Sequence, residues 1–219
     1  MNRIAATLVL ALATLTAACA AVAPGSGGAP ATVAPGAAEA PARLAASPRH
    51  GEWVMVRTES GDSLRAWVVY PERRDRAPVI VVVHEIFGLT NWIRGVTDQL
   101  AADGYVAIAP DLLSGTGVPT GADGDPVRDS ATAAIRTLNP AAVQTRLDAT
   151  ARYAMALPAA LPKYGIVGFC WGGSASFAHA VHAPGLGASV VYYGSSPPAA
   201  SLATVRAPVL GLYGRTTRG

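Results

Sequence analysis

The stretch that most constrains this chain runs Gly165-Ile166-Val167-Gly168-Phe169-Cys170-Trp171-Gly172-Gly173. It predicts a short buried strand, a tight corner, and a helix that begins at the glycines. Cys170 stands at the corner in a Gly-x-Cys-x-Gly pattern, which holds a nucleophile on a strained strand-to-helix turn. Such a turn points the side chain up and out of a sheet. The small residues two before and two after it let neighbouring backbone approach with no Cβ in the way. The backbone N–H of the next residue, Trp171, is then free at a helix N-terminus, where it can stabilise a developing oxyanion or a thiolate.

The rest of the chain divides by composition. Met1 to Ala20 has a single charge, Arg3, and then a run of small apolar residues, which reads as a secretory signal. Leu15-Thr16-Ala17-Ala18-Cys19 resembles a bacterial lipobox, with Thr16 where Leu is usual. Cys19 is therefore a candidate for lipidation. Ordinary cleavage, for instance after Ala20, would instead discard it. A membrane span fits less well, because the run is short and built from Ala and Thr. Residues 21–49 are mostly Ala, Pro, Gly, Ser, Thr and Val, the composition of a flexible linker. The expectation is an exported bacterial protein of the periplasm or cell envelope. Both segments inflate the 51% hydrophobic content, which is not membrane character of the remainder.

Residues 50–219 suffice for one core, expected to be monomeric. The net charge of +3 comes from scattered arginines without a basic run, which argues against nucleic-acid binding. If Cys19 is lost or lipidated, Cys170 is a lone thiol in an exported chain, and that points to use. The alternative is a buried structural cysteine.

Taken in order, Glu52–Thr58 and Leu64–Tyr70 alternate around a Ser60-Gly61-Asp62 turn, predicting an edge hairpin. Pro78–His84 is a continuous β-branched run, predicting a central parallel strand buried on both faces. It leads into Glu85-Ile86-Phe87-Gly88-Leu89, a loop at the strand's carboxyl end, where α/β folds place ligands. Trp92, Ile93, Val96, Leu100 and Ala101 fall at helical spacing, capped by Thr90 or Asn91 and closed by Asp103-Gly104. Tyr105–Pro110 reads as a strand, and Asp111 as a turn-former after it. Val127–Leu138 reads as a helix. A second helix starts at Asn139-Pro140, with Val143, Leu147, Ala151 and Ala154 as its buried stripe. Gly187–Tyr193 and Ala207–Gly214 are further strands. The alternation predicts an α/β fold: a mostly parallel, doubly wound sheet with an N-terminal hairpin.

His84-Glu85-Ile86-Phe87-Gly88-Leu89, Asp103-Gly104-Tyr105, Ala109-Pro110-Asp111-Leu112, Gly168–Gly173, Tyr192-Tyr193-Gly194 and Pro208-Val209-Leu210, in that order and spacing, resemble the dienelactone hydrolase family of α/β-hydrolases. The resemblance runs from about Gly51 to Gly214. It implies cleavage of lactones or related small-molecule esters by a Cys–His–Asp triad, without metal or organic cofactor. It maps Cys170 onto the nucleophile and Glu85 onto a glutamate that contacts the resting thiol. It maps the backbone N–H groups of Trp171 and Ile86 onto the oxyanion donors. A thiolate is the competent nucleophile, and a carboxylate beside it opposes ionisation until substrate arrives.

Plainer roles compete. Glu85 could pair with Arg94 or cap a helix. His84 reads as a packed strand histidine rather than a base. His179 and His182 share a helix face with no third ligand, so core-edge histidines are expected rather than zinc. Arg128 and Arg136 both qualify to grip a substrate carboxylate. The sequence departs from the family at its end. No Asp follows the last strand, and no His follows His182. We expect a chain lacking its last elements, with impaired triad chemistry. Arg215-Thr216-Thr217-Arg218-Gly219 suggests a frameshift, since a GC-rich spelling read two bases into Gly214 gives Ala-Asp-Asp-Ala-Arg. The alternatives are a non-catalytic ligand-binding protein and a general exported carboxylesterase.

Overall fold

A computed structural model of the chain describes residues 33–214. The signal segment, Cys19 and Arg215–Gly219 lie outside the described residues. Seven strands form one sheet in the order β1-β2-β4-β3-β5-β6-β7. The hairpin of β1 (Gly51–Arg57) and β2 (Ser63–Val69) forms one edge, as predicted. β2 runs antiparallel to β4 (Val106–Pro110). From there β4, β3 (Ala77–Val83), β5 (Ala160–Phe169), β6 (Ser189–Tyr192) and β7 (Val209–Leu212) are all parallel. Val79, Val81, Val82 and Val83 of β3 are fully buried between β4 and β5, which is why that run does not alternate.

The sheet separates two apolar layers. On one face α4 (Pro140–Met155) and α5 (Trp171–His182) pack Val143, Leu147, Ala154 and Ala180 against β3 and β5. On the other, α2 (Asn91–Ala102) packs Ile93 and Val96 with Val82 and Phe169. The caps are those the sequence proposes. The Thr90 hydroxyl accepts from the Ile93 N–H at 3.4 Å, and Asn139 Oδ1 accepts from Ala141 and Ala142 N–H at 2.8 and 3.2 Å. α3 (Arg128–Ile135) is shorter than the expected 127–138, because the chain leaves the helix in a turn that bonds the Leu138 N–H to Ile135 O. A 3-10 turn, Ala199–Thr204, has no counterpart in the sequence reading. At the far edge of the sheet, Leu210, Leu212 and Tyr213 are exposed.

The linker expected over 21–49 does not extend that far. Helix α1 (Ala40–Ala45) lies against α2, with Ala40 fully buried. Gly95 provides the notch: a Cβ there would stand 2.8 Å from Pro35 Cγ and 3.5 Å from Ala40 Cβ. Asp98 then clasps the strap, accepting from Ser47 Oγ at 2.6 Å and from Arg49 Nε and Nη2 at 3.0 and 2.6 Å. Composition conceals this, because a small Ala face that fits a glycine notch has the same residue content as a tether. Both side chains of the Arg49–Asp98 pair are largely buried, and removing Asp98 takes away all of the Arg49 hydrogen bonds to it, leaving the exposed Glu72 carboxylate at 3.7 Å. Asp98→Ala is expected to lower unfolding free energy by about 3 kcal/mol in urea titrations. Asp75→Ala, which removes an ion pair whose carboxylate is 90% exposed, should change it by less than about 0.5 kcal/mol.

His179 is fully buried, as a core-edge reading of α5 anticipates. Its Nδ1–H donates to Gln144 Oε1 at 2.8 Å, and its Nε2 accepts from the Tyr164 hydroxyl at 3.0 Å. Burial pushes its pKa from 6.5 down to about 4; the Asp148 charge opposes this and His182 reinforces it. Between those two values the unfolded chain binds the proton and the native state does not. Stability contributed here is therefore complete above pH 6.5 and is lost as pH falls toward about 4. His179→Gln, which cannot take up the proton, should flatten the stability–pH curve across that window relative to the parent chain.

Candidate functional site

At the carboxyl end of β5 the backbone turns sharply. Cys170 has φ 55° and ψ −116°, a left-handed conformation unfavourable for any residue with a Cβ. The strain is held from both sides. The Cys170 N–H donates to Tyr192 O at 3.0 Å, and its C=O accepts from the Ser174 N–H at 3.1 Å, opening α5. The glycines explain the close packing. A Cβ on Gly168 would lie 2.0 Å from Gly172 O. One on Gly172 would lie 2.2 Å from His84 O, and one on Gly173 2.6 Å from Tyr192 O. The corner is thus wedged between the ends of β3 and β6. The thiol is free and half-buried.

β3 delivers the second part of the site. His84 is fully buried; its Nδ1–H donates to Glu85 O at 2.8 Å and its Nε2 accepts from the Leu112 N–H at 3.2 Å. Its ring stacks on Trp171 with centroids 5.8 Å apart. With both nitrogens engaged and burial lowering its pKa, His84 is a packed strand histidine, as expected, and not a base. The chain then turns through Glu85-Ile86-Phe87-Gly88, closed by the Gly88 N–H to Glu85 O at 3.3 Å, with Gly88 at φ 82°. Asp111 forms the turn expected of it, its Oδ1 accepting from the Leu113 N–H at 3.2 Å.

Glu85 is half-buried, and that burial raises its pKa. The Arg128 charge and the Ile86 backbone N–H act the other way, favouring the carboxylate. The Arg128 guanidinium stands 4.2 Å from the Phe87 ring centroid, held as a cation over an aromatic face. Of the two candidate arginines, it is Arg128 whose charge is felt at Glu85; Arg136 is exposed at the C-cap of α3. No Glu85–Arg94 pair forms. Arg94 hydrogen-bonds the Asn91 side chain and lies over the Trp53 and Trp67 rings.

Tyr193 completes the cluster and was given no role by the sequence reading. It sits at φ 43°, and burial, then the charges of Cys170 and Glu85, raise its hydroxyl pKa. Its signal was Tyr-Tyr-Gly at the carboxyl end of a parallel strand, and Gly194 packs so tightly on Gly173 that a Cβ would lie 2.4 Å from the Gly173 carbonyl carbon. The structure therefore gathers Cys170, Trp171, Glu85, Ile86, Arg128 and Tyr193 at the carboxyl ends of β3, β5 and β6. It brings no imidazole there as a base. Of the chain's four histidines, His50 precedes β1, His84 is packed, and His179 and His182 lie two or more turns down α5. Among the described residues, no group of three His, Cys, Asp or Glu is placed to hold a metal ion.

A mostly parallel sheet with helices on both faces and a cysteine on a strained strand-to-helix turn define an α/β-hydrolase fold. The dienelactone hydrolase family model matches residues 64–217, and the chain belongs to that family. Among curated relatives, a "Putative carboxymethylenebutenolidase" of Salmonella typhimurium is 37% identical over 165 residues, 70% of this chain and 60% of that protein. Its namesake in Escherichia coli strain K12 is 36% identical over the same shares. The chain thus spans 60% of the length of these relatives. Among solved structures, a dienelactone hydrolase described as putative from Klebsiella pneumoniae superposes with a TM-score of 0.63 at 28% identity, covering 75% of this chain and 72% of that one.

Proposed function

We propose that the protein cleaves carboxylic ester or lactone bonds of small molecules with Cys170 as nucleophile. The observation that carries this is the left-handed Cys170 backbone, which glycine contacts and two backbone hydrogen bonds hold at the carboxyl end of β5, within reach of Tyr193, where the charges of both Cys170 and Glu85 are felt. Strain of this kind persists only where the surroundings over-determine it, and it concentrates at functional sites. In the reaction the Cys170 sulfur attacks the carbonyl carbon and forms a C–S bond. The carbonyl oxygen takes the negative charge, facing the Trp171 and Ile86 N–H groups. Collapse breaks the ester C–O bond, and the leaving oxygen takes up the proton that the Cys170 thiol released, giving a thioester and an alcohol. In the resting site the Glu85 carboxylate lies against the Ile86 N–H, so substrate oxygen must take its place there. Arg128 supplies a cation for an acidic group on the substrate.

Hydrolysis of the thioester needs a base for water. The family resemblance assigns that to a His oriented by an Asp, and among the described residues no His is brought to the Cys170 corner as a base. For these residues we expect acylation to outrun deacylation. Incubation with p-nitrophenyl acetate should release about one equivalent of p-nitrophenolate rapidly, then little more. Intact mass and peptide mapping should find one acetyl group on Cys170. Turnover that persists in Cys170→Ala, or an adduct elsewhere, would overturn the reading. Non-covalent binding without any adduct would favour the ligand-binding alternative. Export, with Cys19 lipidated or removed, is part of the proposal. It is checked by the mass of the mature N-terminus in an envelope fraction.

A further inference from the structure

The start of α4 and the first two turns of α5 flank a cleft of about 190 Å³, whose lining begins at Trp171, the residue after Cys170. Leu138, Pro140 and Val143 form one wall, and Trp171, Ala175 and Ala178 the other. The α5 positions 171, 174, 175 and 178 share one helix face, and that face begins at the residue after Cys170. Where a helix pair would ordinarily interlock bulky side chains, Ala175 and Ala178 leave space.

The polar groups in the lining are already engaged. Gln144 Nε2 donates to Ala175 O at 3.3 Å, and its Oε1 accepts from His179 Nδ1–H at 2.8 Å. Ser174 Oγ donates to Cys170 O at 3.4 Å and accepts from the Ser195 N–H at 2.8 Å. The cleft therefore suits a group that asks for no hydrogen bond. Its size is right for a ring or a short chain, since an apolar cavity of about 150 Å³ accepts benzene. Trp171 joins the two functions, its ring lining the cleft and its N–H facing the corner at Cys170.

We propose that this cleft is an apolar subsite holding a compact hydrocarbon group, a ring or short alkyl chain, of the ester that Cys170 attacks. The subsite rests on the reading of Cys170 as nucleophile, and its test keeps the two separable. Iodoacetamide and N-benzyl-iodoacetamide alkylate a thiol alike: the sulfur displaces iodide, a C–S bond replaces C–I, and the thiol proton passes to buffer. The ratio of their rates at Cys170, divided by the same ratio for glutathione, reports occupancy of the cleft.

The wild-type quotient should be about tenfold above unity, the effect of burying a ring. Ala178→Leu, which fills the cleft, should bring it to about one. Val143→Ala, which widens it, should shift preference toward an N-naphthylmethyl probe by severalfold. A wild-type quotient of one overturns the subsite while leaving the nucleophile intact. So does a quotient that survives Ala178→Leu in protein with a native near-ultraviolet spectrum. If that variant does not fold, Val143→Ala decides, and no gain for the larger probe overturns the subsite. Failure of both reagents to reach Cys170 overturns the nucleophile reading, and the subsite with it.

Discussion

Gly172→Ala is expected to remove most of the folding stability of the domain. The added Cβ would lie 2.2 Å from His84 O, 2.5 Å from Val83 O and 2.9 Å from the Val83 carbonyl carbon. All three are backbone atoms at the end of β3, the strand flanked by β4 and β5. No rotamer can relieve the clash. Either α5 moves off the sheet or β3 shifts, and both disturb the larger apolar layer. Overpacking ordinarily costs about 1–3 kcal/mol when side chains can adjust. With rigid backbone on both sides the loss should exceed about 4 kcal/mol, a large share of a typical domain's stability. Gly185→Ala is the matched control: a Cβ there meets nothing within 4 Å, and it should change stability by less than about 0.5 kcal/mol. Urea unfolding of the three proteins side by side measures the contrast. Equal midpoints for Gly172→Ala and the parent chain would refute the close approach that builds the corner.

Replacement of Cys170 separates chemistry from strain. Cys170→Ala and Cys170→Gly both lack the sulfur, and each should lose the p-nitrophenyl acetate adduct completely. Their stabilities should differ. Ala keeps a Cβ at φ 55°, whereas Gly adopts that conformation without steric strain. Backbone strain of this kind is worth about 1–3 kcal/mol, partly offset by the greater chain entropy of Gly when unfolded. Cys170→Gly should therefore be about 1 kcal/mol more stable than Cys170→Ala, and at least as stable as the parent chain. A Gly variant less stable than the Ala variant would show that the corner is relaxed, and the argument from strain to function would fall with it.

Much of the site was legible because its physics is local. The Gly168–Gly173 spacing encodes a strand, a corner and a helix whose contacts lie within a few residues. The unbroken apolar run before His84 encodes a central strand with a functional loop at its carboxyl end. Asn139-Pro140 and Thr90 announce helix starts through their own side chains. What was not legible depends on partners distant in sequence. Arg128 and Arg136 look alike in the sequence, and the stacking of Arg128 on Phe87 and its charge at Glu85 distinguish it from the exposed Arg136. Tyr193 joins the site because β6 pairs with β5, which brings its hydroxyl under the charges of Cys170 and Glu85. Residues 34–49 read as a tether by composition, and only the Gly95 notch and the Asp98 clasp make them part of the domain.

By itself, then, the sequence determined the sheet-and-helix class and the strained corner that carries Cys170, because periodicity and glycine spacing are properties of short stretches. The tertiary structure decided which arginine's charge reaches Glu85, which tyrosine feels the charge of Cys170, and where the packed chain begins. It also decided which apolar space lies open beside Trp171. Each of those is a matter of register and packing between elements tens of residues apart, and no local pattern carries it.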